Sequence, residues 1–339
     1  MKPQSNSNLS IPDEFAIKIK AEHRREQIMK FAPASVLALM ILIFASIAGN
    51  EFASINNMIA ILNQIAIPLL IASGLTFVIL LGSIDLSIDG TVGMAGSLLS
   101  ILILNTKNGN DFGIFGVLLA VGASVLVGLL IGVIHVKLKI PSFMVSFGFM
   151  YICKGIAILS YGGIPASIAG PVFTALPKVS FIGIPFITWV AIFMVAIAYF
   201  IQEYTPFGRH IFAVGTDERI PKSVGVSVDN VKIKVFVLAG LMFGVAGVLG
   251  AIRLGQGQSQ IGEGLMFPSQ AAVVAGGTAL CGGKGGVDKT IIGVFIMVVL
   301  NNGLSILHVN PYINSAIEGL IILTAVSLTV AKGRKVISK

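Results

Sequence analysis

The sequence predicts an all-α, polytopic membrane protein of about ten transmembrane helices. One or more of them should be broken or re-entrant at Gly-rich segments, and both termini should be cytoplasmic. Three observations carry this expectation. Hydrophobic residues make up 55% of the 339 residues and charged residues 11%, with a mean hydropathy of +0.94. A soluble domain usually carries about 25% charged residues. Ten apolar segments recur along the chain, many close to the roughly 20 residues that cross a bilayer. Basic residues alternate between dense and sparse loops, as the positive-inside rule requires.

Taken in order, residues 1–30 form a polar cytoplasmic N-terminal segment. Lys18, Lys20, Arg24, Arg25 and Lys30 are mixed there with Phe15, Ile17, Ile19, Ile28 and Met29, the composition of a short interfacial helix rather than a cleavable signal. A transmembrane domain then spans 31–331. Its apolar segments lie at about 31–49, 57–81, 88–104, 113–135, 141–160, 183–202, 233–252, 267–283, 287–307 and 312–331. The eighth is short and Gly-rich, so a re-entrant helix is expected there. Residues 332–339 are a basic cytoplasmic tail. With the N-terminus inside, 19 of the 23 Lys and Arg residues fall inside. Lys107, Lys178 and Arg253 fall outside, and Lys154 falls within the membrane.

Two loops exceed connector length. Residues 161–182 are outside and rich in Gly and Pro. Residues 203–232 are inside and polar, a docking element in a chain with no soluble domain. The outside run from Arg253 to Gly264 has no apolar face and reads as either a flexible connector or a polar platform. At an offset of 200, Pro68, Ala72, Gly82 and Gly93 match Pro268, Ala272, Gly282 and Gly293, which suggests duplicated halves.

The net charge of +8 does not point to nucleic acid, because the basic residues sit at membrane borders without interleaved aromatics. Cys153 and Cys281 lie in hydrophobic surroundings and read as buried, unpaired residues. The four His residues are scattered without ligand spacing, so no metal site is expected, and no nucleophile elbow is present. The chain is therefore not expected to be an enzyme. Gly276 to Gly285 imitates a phosphate loop but fails it. The motif needs Gly where Thr278 stands and Ser or Thr where Gly285 stands. Nucleotide would have to be bound elsewhere.

The polar residues inside apolar sequence are the functional candidates. Asp85, Ser87, Asp89 and Lys154, with Gly276, Gly277, Thr278, Gly282, Gly283, Asn301 and Asn302, line a translocation path or break its helices. Asp85 and Asp89 also read as caps of helix breaks at the cytoplasmic border, or as a cation site. Lys154 reads equally as a snorkelling lysine, and Glu318 is a further buried charge. In the inside loop, Arg209, Gly215, Asp217, Glu218, Arg219, Lys222 and Gly225 are the coupling candidates. A short helix is expected after Thr216 or from Pro221, stopping at Gly225.

Four ordered motifs resemble the permease subunits of bacterial sugar ABC importers, the group that includes ribose, xylose, arabinose and galactose permeases. Gly82 to Asp89 resembles the family's Gly-Gly-Ile-Asp-Leu-Ser-Val-Gly, departing at Ser83, Ile88 and Asp89. Phe207-Gly208-Arg209, Ala213 to Glu218 and Ser223 to Val226 resemble its cytoplasmic run, with Arg219-Ile220-Pro221-Lys222 departing. Ala271 to Gly283 resembles its Gly-Gly segment, with Cys281 for a usual serine, and Leu300 to Leu304 fits a later motif.

The resemblance covers roughly 50–330. It implies a monosaccharide path in the inner membrane, a second permease subunit as homo- or heterodimer, ATP-binding subunits below and a periplasmic substrate-binding protein above. It implies no cofactor in this chain. The alternatives are an ion-gradient-driven secondary transporter, and a related ABC permease for a nucleoside, amino acid or furanose signal molecule.

Overall fold

The computed structural model describes residues 31–310 together with 312, 313, 315–317, 319, 320 and 323. The expected interfacial helix in 1–30, the tail 332–339, Glu318 and most of the tenth apolar segment lie outside the described residues, as do both termini.

The chain is mostly helical. Helix α1 (Phe31–Ala48) is followed by the single turn α2 (Asn50–Ala53) and then by α3 (Ile55–Leu80). Helices α4 (Ile88–Leu102), α5 (Ile114–Leu138) and α6 (Ser142–Tyr161) come next. An outer loop holds α7 (Pro171–Ala175), a 3₁₀ turn and a two-stranded hairpin, and leads to α8 (Phe186–Tyr204). The inner loop folds as α9 (Pro206–Thr216) and α10 (Arg219–Ser223). The chain continues through α11 (Val228–Leu254), the short α12 (Met266–Ala275) and α13 (Val287–Ile306).

Seven of these helices, α1, α3, α5, α6, α8, α11 and α13, are long and apolar enough to cross a membrane. Two of the ten apolar segments are too short to cross, and one of them is the Gly-rich eighth that was expected to be broken. The third segment is helical only from Ile88, because residues 83–87 run extended after Gly82 turns the chain at a φ of 74°. The eighth is helical only over α12, and residues 276–286 form a Gly-rich loop. At 1.5 Å per residue neither helix spans the roughly 30 Å hydrocarbon core. Each is completed by an irregular stretch, 83–87 for α4 and 256–265 for α12, the latter made of a two-residue strand (Gln256–Gly257) and a 3₁₀ turn (Ser259–Gly262).

The run after Arg253 is thus neither a flexible connector nor an outer platform. Gly255 turns it at a φ of 73°, and it descends along α4. A Cβ at Gly257 would strike Gly96 and Ser100, and one at Gly262 would strike the Asp89 backbone. A long helix, a left-handed Gly, a stretch outside any α-helix and a half-helix therefore occur twice, at α3–α4 and at α11–α12. The two long helices run antiparallel, since Gly74 packs on Met242 while Gly250 lies by Ile67. The duplication is inverted and pairs α3 with α11. The offset of 200 pairs other positions, although Gly82 and Gly282 do touch and share positive φ.

Helix–helix contact rests on small residues, as expected where lipid offers no hydrophobic drive between helices. Ser124, Gly128 and Gly132 of α5 form one stripe at four-residue spacing, facing Gly240 and Gly244 of α11. A Cβ at Gly128 would collide with the Phe236 carbonyl. At the outer surface, Ala166 and Ser167 pair antiparallel with Gly257 and Gln256, so the 161–182 loop closes over the entry of the diving strand.

This seam yields a prediction with an internal control. Gly128→Leu should lower the thermal unfolding midpoint in detergent, by an amount equivalent to about 1–3 kcal/mol of overpacking. Gly122→Leu, on the same helix with nothing within 4 Å of its Cβ, should leave the midpoint unchanged. Equal effects would contradict the seam.

Candidate functional site at the helix breaks and the cytoplasmic junction

An extended strand inside a bilayer must have its backbone groups paired by protein. For 83–87 the partners are serines of α6. The Ile84 N–H donates to Ser142 Oγ at 3.1 Å, and Ser142 Oγ donates to the Ile84 carbonyl at 3.0 Å. The Leu86 N–H donates to Ser146 Oγ at 2.9 Å. Asp85 is buried and accepts the Ser87 N–H at 2.8 Å, a local turn that sets the start of α4. Ser87 is the buried N-cap residue, but its side chain makes no capping bond.

Asp89 works on a different helix. Its Oδ2 accepts the Gly264 N–H at 3.2 Å and its Oδ1 accepts the Met266 N–H at 2.9 Å, so it caps α12 from outside that helix. Its neighbour Gly90 packs on the carbonyl of Met150, the ninth residue of the twenty in α6. That places Asp89 near the middle of the membrane rather than at its cytoplasmic border. The N-termini of two half-helices therefore meet at mid-depth, each with a carboxylate at its unsatisfied amides.

Lys154, on α6, lies 4.0 Å from Glu263, a residue that sequence reasoning did not single out. The only signal for it was an acidic residue in a Gly-rich run with no apolar face. Tyr161 and Ser259 were missed too, and their hydroxyls are 3.1 Å apart. Asn302 donates to Asn57 at 3.0 Å, joining α13 to α3 near their outer ends. Asn301 lines a cavity of about 210 Å³ between α3, α12 and α13, together with Pro68, Pro268 and Ser269.

The remaining candidates gather at the cytoplasmic face. The Gly283 N–H donates to the Leu80 carbonyl at 2.9 Å. A Cβ on Gly215 would collide with that carbonyl, one on Gly283 with Thr216, and one on Gly276 with the Lys289 carbonyl. Gly277 adopts a φ of 106°. Buried Thr278 accepts the Gly286 N–H at 3.2 Å. Gln202, also missed, is buried in the last turn of α8 and accepts the Val287 N–H at 2.7 Å, capping α13. The end of α3, the end of α9 and the loop before α13 are thus in backbone contact. Cys281 is exposed in this loop, correcting its expected burial, while Cys153 is buried and both are unpaired.

In the inner loop α9, a helix that the sequence did not lead us to expect, starts at Pro206 behind a Thr205 cap and ends at Thr216. Arg209 is exposed on it. The second helix, Arg219–Ser223, begins between the two expected starts, without a Thr216 cap, and only its stop before Gly225, at a φ of 84°, is as expected. The acidic pair is engaged within the loop. Asp217 holds Arg219 at 2.8 Å, which raises the guanidinium's pKa through that hydrogen bond first and the charge second. Glu218 holds Lys232 of α11 at 2.8 Å. Exposed on α10 are Arg219, Ile220 and Lys222, with Val224 following. Among the described residues no cluster of His, Cys, Asp and Glu could hold a metal ion.

Comparison with known proteins agrees with this architecture. Residues 57–326 match the family model described as the branched-chain amino acid transport system permease component. The chain is 33% identical to a ribose import permease protein of Haemophilus influenzae, over 86% of this chain and 91% of that one. It is 33% identical to the ribose import permease protein of Bacillus subtilis, over 93% and 97% respectively. It is 31% identical to an L-arabinose ABC transporter permease protein of Azospirillum brasilense, over 96% and 94%. No solved structure matches the chain.

The Asp89 cap is testable by charge and by acceptor separately. Asp89→Asn keeps an acceptor and should retain most stability and solute uptake. Asp89→Ala should lose about 0.5–2 kcal/mol, read as a lower thermal midpoint in detergent. A site needing an ionised carboxylate would instead show Asn as damaging to uptake as Ala.

Proposed function

Because the chain belongs to the permease family of bacterial sugar ABC importers, we propose that it forms the translocation path for a monosaccharide of the pentose or hexose class, powered by a separate ATPase subunit. Like its relatives it is a multi-pass transport permease and not an enzyme. The placement is the bacterial inner membrane. The assembly is a pair of permease subunits, two ATP-binding subunits beneath and a periplasmic substrate-binding protein above. The sugar names of the relatives support the substrate class, and the failed phosphate loop at Thr278 and Gly285 supports nucleotide binding by a partner.

The observation that carries the reading is the contact among Gly215, Leu80 and Gly283. It joins the only long inner loop among the described residues to the end of α3, just before the 83–87 stretch, and to the loop between α12 and α13. An ATPase pressing on α9 and α10 moves rigid backbone, because glycine contacts leave no side chain to absorb the displacement. Ile220, 62% exposed, and Val224, 75% exposed, are apolar residues on the cytoplasmic side and suit the buried centre of a docking interface. Arg209, Arg219 and Lys222 suit its rim. Asp217 and Glu218 position the loop rather than meet the partner.

The test is reconstitution of the full chain with its partner ATPase and binding protein in proteoliposomes. Uptake of ribose or arabinose should require ATP and survive collapse of proton and sodium gradients. Ile220→Asp combined with Val224→Asp should reduce coupled ATP hydrolysis by about tenfold or more, as loss of an interface centre does. Gradient-driven uptake by this chain alone would refute the proposal, and full stimulation by the double variant would move docking elsewhere.

A further inference from the structure

The Lys154–Glu263 pair is out of place in a lipid-facing surface. Lys154 is the thirteenth of the twenty residues in α6, and helical side chains lean toward the helix N-terminus. Its ammonium is therefore carried toward the membrane centre, away from the outer surface that a snorkelling lysine would seek. It ends 4.0 Å from the Glu263 carboxylate. Glu263 is fixed at that depth by its neighbours, since Gly262 packs on the Asp89 backbone and the Gly264 N–H is bound by the Asp89 carboxylate. The pair is open on one side, with side-chain exposures of 27% for Lys154 and 62% for Glu263. Ionised groups open to hydrocarbon at such depth are strongly disfavoured and instead face water or protein.

The surface around the pair has a definite chemistry. Phe147, Tyr151 and Lys154 recur on α6 at spacings of four and three, so they form one stripe. Phe147 and Tyr151 are exposed, and their rings meet edge to face at 5.3 Å. The neighbouring face of α6 is spent on packing, with Ser142 and Ser146 on the extended 83–87 stretch and Met150 on α4. The stripe offers an aromatic surface leading to a balanced charge pair. A monosaccharide has the matching pattern, with apolar C–H faces that lie on aromatic rings and hydroxyls that donate to a carboxylate and accept from an ammonium.

Building on the permease role, we propose that this face, Phe147, Tyr151 and Lys154 of α6 with Glu263 of the diving strand, is the water-filled wall of the solute path. Glu263 and Lys154 bind the hydroxyls of a neutral polyol as it passes. Asp89 supports the site indirectly, by fixing the strand that carries Glu263.

The experiment is thiol accessibility in the assembled transporter in proteoliposomes, with Cys153→Ala and Cys281→Ser as background. Glu263→Cys and Tyr151→Cys are compared with Phe193→Cys, an exposed position on α8. The probe is the membrane-impermeant cation methanethiosulfonate-ethyltrimethylammonium. Both wall positions should react at least about tenfold faster than Phe193→Cys, because a thiol in hydrocarbon ionises poorly. Their modification should also block ribose or arabinose uptake. If Glu263→Cys does not assemble, Tyr151→Cys carries the same test. Reaction as slow as at Phe193→Cys would overturn the proposal and place the pair in a dry contact. So would fast reaction with uptake unaffected. ATP-driven uptake by the background protein is measured alongside, so failure of the wall and failure of the permease role give different results.

Discussion

The structure depends on satisfying backbone hydrogen bonds where two helices break inside the membrane. A bilayer supplies no water for an unpaired N–H or carbonyl, so each break needs dedicated partners. At the first break the partners are two serines one turn apart on α6. At the second the outer end is paired by Ala166 and Ser167 and by the Tyr161 hydroxyl, and the inner end by one carboxylate, Asp89, which takes the amides of Gly264 and Met266. Because Asp89 itself sits in the first turn of α4, the second break is held by the first. The requirement also explains why the strand from 256 to 265 is rich in glycine, since only close backbone approach to α4 shields it.

The cytoplasmic junction applies the same physics to a different end. Leu80 closes α3 and gives its carbonyl to Gly283, and Gly215 closes against both. Contacts of backbone on backbone are stiff. Movement of the α9–α10 loop must therefore be transmitted to the start of the 83–87 stretch and to the loop between α12 and α13. The segments that resemble the sugar permeases most closely at the inner face are scattered along the sequence but adjacent in space. The motif at Leu300 to Leu304 is the exception. It joins α13 to α3 near the outer ends, through Asn302 and Asn57.

Much of this was legible in the sequence, and the limits have physical causes. Apolar length and charge alternation located the long helices, because both reflect the bilayer directly. Glycine with small polar residues marked the breaks. Depth was not legible, since Asp85 and Asp89 look alike as neighbours in sequence, yet one makes a local turn and the other caps a helix 177 residues away. The diving strand was mistaken for an outer loop because it is polar. Its shielding comes from α4, which composition alone does not reveal. Glu263 and Gln202 were missed because each acts through a partner distant in the chain. The inverted duplication leaves identities at an offset of 173, at Ala66 and Ala239, Gly74 and Gly247, Ile79 and Ile252, Leu81 and Leu254, and Gly82 and Gly255, but small and apolar residues are too common here for these to stand out.

The central claim is that α4 and α12 begin at mid-membrane and are tied together by Asp89. A density map of the full assembly in a lipid bilayer, resolved enough to show side chains, tests it directly. The account predicts the Asp89 carboxylate within hydrogen-bonding distance of the Gly264 and Met266 amides, near the bilayer centre, with 256–265 lying along α4 as a short strand and a 3₁₀ turn. A continuous helix through 256–275, or Asp89 at the cytoplasmic border away from those amides, would contradict it.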